Sequence, residues 1–378
     1  MSSLDRTQFA FLVHPRTNVR EDLGGIFRPL GLIPNPVYEV ALKHLPLKPV
    51  VIGDVSFADR PDRTAGHIIL VPEGARSMLE RGRSKVMPKI EAAVDLAVEL
   101  GAGIVGLGAL NATIAKGGAL LRKRTDIGVT NGNAFTAWMT FRGIERLLAE
   151  FPMHNPSIAF VGATGSVGSA VVELVAGSEL TADVTLVARN IPRLNALADQ
   201  VRRTDPWVNV TTSTDIASVR SADIVVLMTS SADALLKSEH LKPGAIILDD
   251  TQPRNTDPNL AAERPDVLIV DGGLVSIPGV SVNAHIGLPQ GHSYACLAET
   301  MLLGLSGHRG HFSIGNPSTE NITTIASHAA RYRHFGFDLA SLRSFNNLID
   351  PVTVAASRST RPIRRIIGDV FAEPAMRF

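Results

Sequence analysis

Residues 157–175 read SIAFVGATGSVGSAVVELV, and this stretch decides the fold. Ser157–Val161 is an apolar run of buried-strand length. Gly162, Gly165 and Gly168 follow at G-x-x-G-x-x-G spacing, and Val167, Val171, Val172 and Val175 then recur at helical intervals. Strand, glycine turn and helix in direct succession create a helix N-terminus with unpaired N–H groups and a positive dipole end. A pyrophosphate can lie there against backbone, and a Cβ would hold it off. The expected dinucleotide contacts are therefore Gly162, Thr164, Gly165, Ser166, Val167 and Gly168. A structural tight turn can carry the same glycines; the flanking strand and helix are what favour the nucleotide site.

Downstream, the strand–helix alternation continues. Apolar runs at 183–187, 208–212, 223–228, 245–249 and 267–270, with a helix over 191–203, add five strands to the first. Six strands with short helical connections fit a doubly wound parallel sheet. The second strand ends in Ala188, Arg189 and Asn190, where such a fold reads the adenosine ribose. An acidic residue there would favour NAD, whereas an arginine can fork onto a 2′-phosphate, so Arg189, with Asn190 beside it, points to NADP(H). Gly272 and Gly273 follow the sixth strand, where missing side chains would let a nicotinamide ring lie flat against backbone; a plain turn would look the same.

Upstream, residues 1–150 need a core of their own and read as a smaller α/β substrate domain. Strands are expected at 9–13, 50–57, 67–71 and 101–110, and one helix over 76–100. The turn Asn131-Gly132-Asn133 opens a helix over 134–151 that connects the two units. Its asparagines either face substrate or satisfy backbone groups. The expected organisation is 1–150 for the substrate domain, 151–285 for the nucleotide domain, 286–342 for a helical segment, and 343–378 for a flexible or surface-lying tail.

A chain of 378 residues is long enough for two cores, and 45% apolar with 19% charged residues is ordinary for a soluble enzyme. Thirty-seven basic against 36 acidic residues give no overall field for nucleic acid. No window has the roughly 18 apolar residues of a membrane span, and the N-terminus lacks a secretory pattern, so a cytoplasmic location is expected. No metal-ligand spacing stands out.

The chain has one cysteine, Cys296, in GLPQGHSYACLAETMLLGL (287–305). Ser293 is the expected N-cap of a helix over 294–305, which puts Cys296 in the first turn. There, N–H groups and dipole favour thiolate and would lower a thiol pKa from its usual ~8.5. His292 is the expected proton partner, with His285 a weaker candidate. A buried, inert cysteine is the other reading.

This order of motifs resembles the long-chain acyl-[acyl-carrier-protein] reductases of cyanobacteria. The matching stretches are 106–112, NGNAFTAW (131–138), VGATGSVGSAV (161–171), VARNIPRL (187–194), DGGLV (271–275), YACLAETMLL (294–303) and HFGFDLA (334–340), spread over roughly residues 8–342. The resemblance implies an N-terminal acyl domain before an NADP domain, with the nucleophile at Cys296. It also implies pyrophosphate glycines at 162, 165 and 168 and an NADP-reading Arg189. The implied reaction is NADPH-dependent reduction of a fatty acyl thioester, carried by acyl carrier protein or coenzyme A, to an aldehyde through an acyl-cysteine. His292 and residues 344–378 lie outside the resemblance. An acidic carrier would need a basic patch, for which Arg76, Arg81, Arg83, Lys85 and Lys89 form one run and Arg122, Lys123 and Arg124 another. The competing readings are a shikimate-dehydrogenase-like NADP oxidoreductase without covalent catalysis, and a non-catalytic NADPH-binding module.

Overall fold

The computed structural model describes residues 8–15, 19–20, 24, 28–180, 182–231 and 234–350. The first half runs β1 (Phe9–Val13), α1 (Asn35–His44), β2 (Val50–Phe57), β3 (Gly66–Leu70), α2 (Ala75–Arg81), α3 (Arg83–Glu99), β4 (Ile104–Leu107), α4 (Leu110–Ile114), β5 (Gly128–Thr130) and α5 (Asn133–Glu150). The middle runs β6 (Ser157–Val161), α6 (Ser166–Ala176), β7 (Asp183–Val187), α7 (Ile191–Thr204), β8 (Val210–Ser213), β9 (Ile224–Leu227), β10 (Ile246–Asp249), α8 (Pro258–Glu263) and β11 (Leu268–Asp271). After it come β12 (Leu274–Ser276), β13 (Val280–Asn283), β14 (His292–Tyr294), α9 (Ala295–Ser306), α10 (Thr319–Arg331), β15 (Asp338–Leu339), β16 (Arg343–Ser344) and β17 (Asn347–Leu348).

The second sheet has the order β11-β10-β9-β6-β7-β8, and every neighbouring pair is parallel. Strand order therefore reverses between β6 and β9, and the crevice outside the carboxyl ends of these strands is where a doubly wound sheet takes its ligand. Strands β9 and β10 are buried along their whole length, as a parallel sheet covered on both faces requires. The fold is α/β, a Rossmann-type parallel sheet preceded by a smaller α/β unit and followed by helices.

The first sheet has the order β13-β2-β3-β1-β4-β5. Its edge strand β13 is a departure from the expected boundaries, because residues 280–283 were placed in the nucleotide domain yet pair antiparallel with β2. Val280 and Val282 are buried while Ser281 and Asn283 are exposed. That two-residue alternation suits a strand with one covered face, which β2 supplies. The three-residue β5 is too short to give a periodic pattern, and the helix expected over 76–100 breaks at Gly82 into α2 and α3.

Helices α5, α9 and α10 form a layer that both sheets share, and one continuous apolar core runs through it. In α9, buried positions occur on every side, Leu297, Met301, Leu302, Leu303 and Leu305 among them. A helix apolar all round belongs in an interior, and truncating one such leucine costs about 2–5 kcal/mol.

The expected loose tail is partly built. Residues 343–348 form a hairpin, and Asp271 accepts the backbone N–H groups of Phe345 (3.1 Å) and Asn346 (2.7 Å). Arg254 grips the same carboxylate with two nitrogens, each at 3.1 Å. Residues 351–378 lie outside the described residues. Among the described residues, no helix is long and apolar enough to cross a membrane.

Candidate active site

The carboxyl ends of both sheets face one cavity of about 1080 Å³. On the nucleotide side it is lined by the turn after β6, by Arg189 and Asn190 after β7, by Met228–Ser231 after β9 and by Gly272 and Gly273 after β11. On the other side lie Phe11, Val13, Ile52, Leu70, Leu79 and Leu110, an apolar wall. Cys296 lines the same cavity.

Gly162, Thr164, Gly165, Ser166 and Val167 all line it. Gly165 caps α6 without a side chain, so no side-chain acceptor covers the first-turn N–H groups, and the cradle fits a pyrophosphate. Gly168 differs from expectation: it is buried and lies off the cavity. A Cβ on it would come 2.3 Å from the Gly162 carbonyl oxygen, so this glycine seats the helix on its turn instead of touching phosphate. Ser166 is held by protein, donating to the Gly315 carbonyl and accepting from Asn133 Nδ2, both at 2.8 Å. Arg189 is exposed at the rim, whereas Asn190 Oδ1 accepts the Arg193 N–H at 3.0 Å and caps α7. Arg193 joins Arg189 at the cavity, a second cation the sequence reading missed.

Helix α9 starts one residue later than expected. Its cap is Tyr294, Ser293 lies in β14 with its hydroxyl on the Tyr294 carbonyl (3.0 Å), and Cys296 is the second helical residue. The Ala295 N–H donates to the Gly273 carbonyl at 2.8 Å, which ties the helix start to the end of the nucleotide sheet. The Asn131-Gly132-Asn133 turn lies on the thiol from the other side; a Cβ on Gly132 would come 2.3 Å from Cys296 Cβ.

The thiol's electrostatics reverse the expected direction. Burial pushes Cys296 up to about 12, against the helping N–H of Leu297, and the nearby carboxylates of Asp250 and Glu299 oppose ionisation further. Desolvation outweighs the helix start. The structure does not bring His292 to the cavity. Its Nδ1 lies 3.1 Å from the Gln290 carbonyl and its Nε2 3.5 Å from the Arg343 guanidinium. His285 does line the cavity. Asn131 is almost fully buried, with Nδ2 donating to the carbonyls of Gly117 (3.1 Å) and Gly315 (2.8 Å), and it holds the turn.

Two carboxyl groups near the thiol, the buried Glu299 and the half-buried Asp250, were missed. Glu299, one turn beyond Cys296, accepts the Thr130 hydroxyl and, at 2.7 Å, the Phe135 N–H at the start of α5. Asp250, at the end of β10, lines the cavity and accepts the Thr140 hydroxyl. A lone acid in an otherwise apolar helix, and the Asp249-Asp250 pair at a strand end, were the available clues. Of the expected basic docking runs, Arg81 and Lys89 converge on the buried Glu73, and Arg124 pairs with Asp95 and Asp126. Arg81 and Lys89 are thereby committed inside the fold, and Arg124 is paired at the surface. Arg76, Arg83, Lys85, Arg122 and Lys123 are exposed.

Among the described residues, no group of three or more His, Cys, Asp or Glu could hold a metal ion. Residues 146–271 match the family model for shikimate/quinate 5-dehydrogenase, a third of the chain centred on the second sheet. An aminotransferase, PigE, from a Serratia species is 25% identical over 297 residues, covering 75% of this chain and 33% of that protein. The long-chain acyl-[acyl-carrier-protein] reductase of Synechococcus elongatus is 27% identical over 194 residues, 49% of this chain and 54% of the relative. That alignment is shorter than the span of the resembling motifs, and the chain spans about a third and about half of these two relatives. Quinate dehydrogenase from Corynebacterium glutamicum, solved with NAD, superposes with a TM-score of 0.35 at 15% identity over 69% of this chain and 87% of its own. Site and comparisons meet at the fold: the Rossmann-type sheet, whose residues 146–271 match the shikimate/quinate 5-dehydrogenase model, opens at its carboxyl ends on this cavity.

Proposed function

We propose that the protein reduces an apolar acyl thioester to the aldehyde, using NADPH and an acyl-Cys296 intermediate. The observation that carries this reading is a single cavity that holds the glycine turn, the chain's one thiol and an apolar wall. The name of the Synechococcus relative, a long-chain acyl-[acyl-carrier-protein] reductase, supports it and suggests a fatty acyl group on acyl carrier protein; coenzyme A is the alternative carrier.

The turn 162–167 would hold the pyrophosphate, Arg189 with Arg193 the 2′-phosphate, and Gly272–Gly273 the nicotinamide end. When bound, the dinucleotide supplies a hydride at that end. The apolar wall from Phe11 to Leu110 takes the acyl chain, burying roughly 0.8 kcal/mol per methylene. Cys296 sulfur attacks the thioester carbonyl, its proton leaves with the carrier thiol, and the acyl group stays on the enzyme. First-turn N–H groups of α9, including that of Leu297, face developing charge at the sulfur. After reduction, the carbon–sulfur bond breaks, releasing aldehyde and restoring the cysteine.

Cys296→Ala is expected to lower aldehyde formation by at least about 1000-fold and to remove the acyl mass adduct, while NADPH binding persists. A dehydrogenase acting on a ketone or alcohol, favoured by the match over residues 146–271 and by the protonated thiol, would keep full activity in this variant and form no adduct.

A further inference from the structure

Cys296 carries its proton in a site that draws the thiol pKa upward, so attack on a thioester needs a nearby group to take that proton. His292 is turned away. The carboxyl groups of Asp250 and Glu299 are the ones close enough to oppose the thiol's ionisation, and they differ in how they are held. On Glu299, one oxygen accepts a backbone N–H, a donor that cannot reverse, and the side chain does not line the cavity. It anchors the first turn of α5.

Asp250 is held differently. The Thr140 hydroxyl lies within hydrogen-bond distance of two acceptors, Asp250 Oδ2 and the Thr136 carbonyl (2.8 Å). It has one proton to give. When Asp250 is ionised, Thr140 donates to the carboxylate. When Asp250 carries a proton on Oδ2, the carboxyl donates to the Thr140 oxygen, and the Thr140 hydroxyl donates its hydrogen bond to the Thr136 carbonyl. Both states are complete, and no heavy atom has to move. The other oxygen, Oδ1, lies on the side of Gly273, close enough that a Cβ there would come within 2.1 Å. Gly273 is the residue whose carbonyl holds the start of α9, one position before Cys296.

We propose that Asp250 is the proton-carrying residue of this site: it takes the Cys296 thiol proton as sulfur attacks the acyl carbonyl, and returns it to the carrier thiol as the original carbon–sulfur bond breaks. Electrons and atoms balance within this exchange: one carbon–sulfur bond forms, one breaks, and one proton moves from Cys296 to the leaving sulfur. The inference rests on the acyl-thioester reading. Burial, opposed by Thr140 and aided by Asp249, pushes Asp250 up to about 7, so the carboxyl takes and gives a proton at working pH. Asp249 beside it, Cys296 and Glu299 on α9, and Tyr294, His14, His285, Arg189 and Arg193 on the cavity lining are the other charged or titratable groups around it.

The test uses the full chain, whose one cysteine lets intact mass report alkylation of Cys296 by iodoacetamide across pH 5–9. Wild type is expected to alkylate with an inflection near 7. Asp250→Asn is expected to lose the inflection and react about tenfold more slowly at pH 8. If Asp250 acts only as a neighbouring negative charge, its removal eases thiol ionisation, and a variant that reacts as fast as wild type or faster overturns the proposal. Thr140→Val removes the hydroxyl at nearly constant volume and is expected to move the inflection to higher pH; an unmoved inflection also overturns it. A parallel incubation with a long-chain acyl-CoA reads the acyl adduct. Should wild type form none, the thioester reading falls, and the alkylation profiles judge Asp250 separately.

Discussion

Two helix starts face the same cavity and do opposite things with the same dipole. At α6, the capping residue is glycine, the first-turn N–H groups lack a side-chain acceptor, and the turn lies beside exposed Arg189. At α9, the first turn carries the thiol into a dry setting with two carboxyl groups behind it. The first suits a highly charged group and the second keeps its own thiol neutral. A helix start worth roughly 0.3–1 kcal/mol cannot by itself offset enclosure, which shifts buried groups by several pKa units. Position in a first turn therefore predicts reactivity only once the surroundings are known.

The largest effects should come from filling each helix start. Gly168→Val forces a side chain into the Gly162 carbonyl and is expected to cost about 1–3 kcal/mol of stability and to weaken NADPH binding at least tenfold. Gly132→Ala pushes on Cys296 in a left-handed backbone position, φ +76, and should slow iodoacetamide alkylation while sparing NADPH affinity. Calorimetric binding and intact mass read the two separately; if both variants lose both properties, the helix starts are not independent.

A middle-sized effect belongs to the rim. Arg189→Ala is expected to reduce the preference for NADPH over NADH by about 10–100-fold, the worth of a charge-assisted phosphate contact. Ratios of kcat/KM with the two cofactors measure it, and an unchanged ratio would pass the role to Arg193.

The smallest concerns the carboxyl that α9 turns toward α5. Burial raises Glu299 from 4.5 to about 7. Between those values the folded chain keeps a proton that the unfolded chain has released, so this group's contribution to stability is fullest below 4.5 and declines as pH rises to 7. The Tm advantage of wild type over Glu299→Gln should shrink along that interval and level off above it. The variant also removes the opposing effect of Glu299 on Cys296, so its alkylation should speed up modestly.

Much of the second sheet was legible because each strand is a short apolar run and the glycine turn punctuates it. The place of Arg189 at the cavity rim was legible because the fold fixes where the second strand of the sheet ends. What was not legible depended on partners far along the chain. Thr140 meets Asp250 across 110 residues, and Thr130 meets Glu299 across 169. No local pattern encodes such meetings, and they hold the two carboxyl groups that add to the effect of burial on the thiol. His292 failed for a related reason: adjacency to a cap says nothing about what a ring meets, and this one meets the Gln290 carbonyl and Arg343, 51 residues further on.

The return of β13 to the first sheet has a consequence for how the chain is made. Strand β2 presents one edge to β3 and the other to residues 280–283. During synthesis, that second edge has no native partner until the whole nucleotide sheet has emerged from the ribosome. An open strand edge invites pairing with other chains. The nascent protein must keep its first sheet unfinished while it builds the second, and the strand that leads back toward Cys296 is also the one that closes the edge.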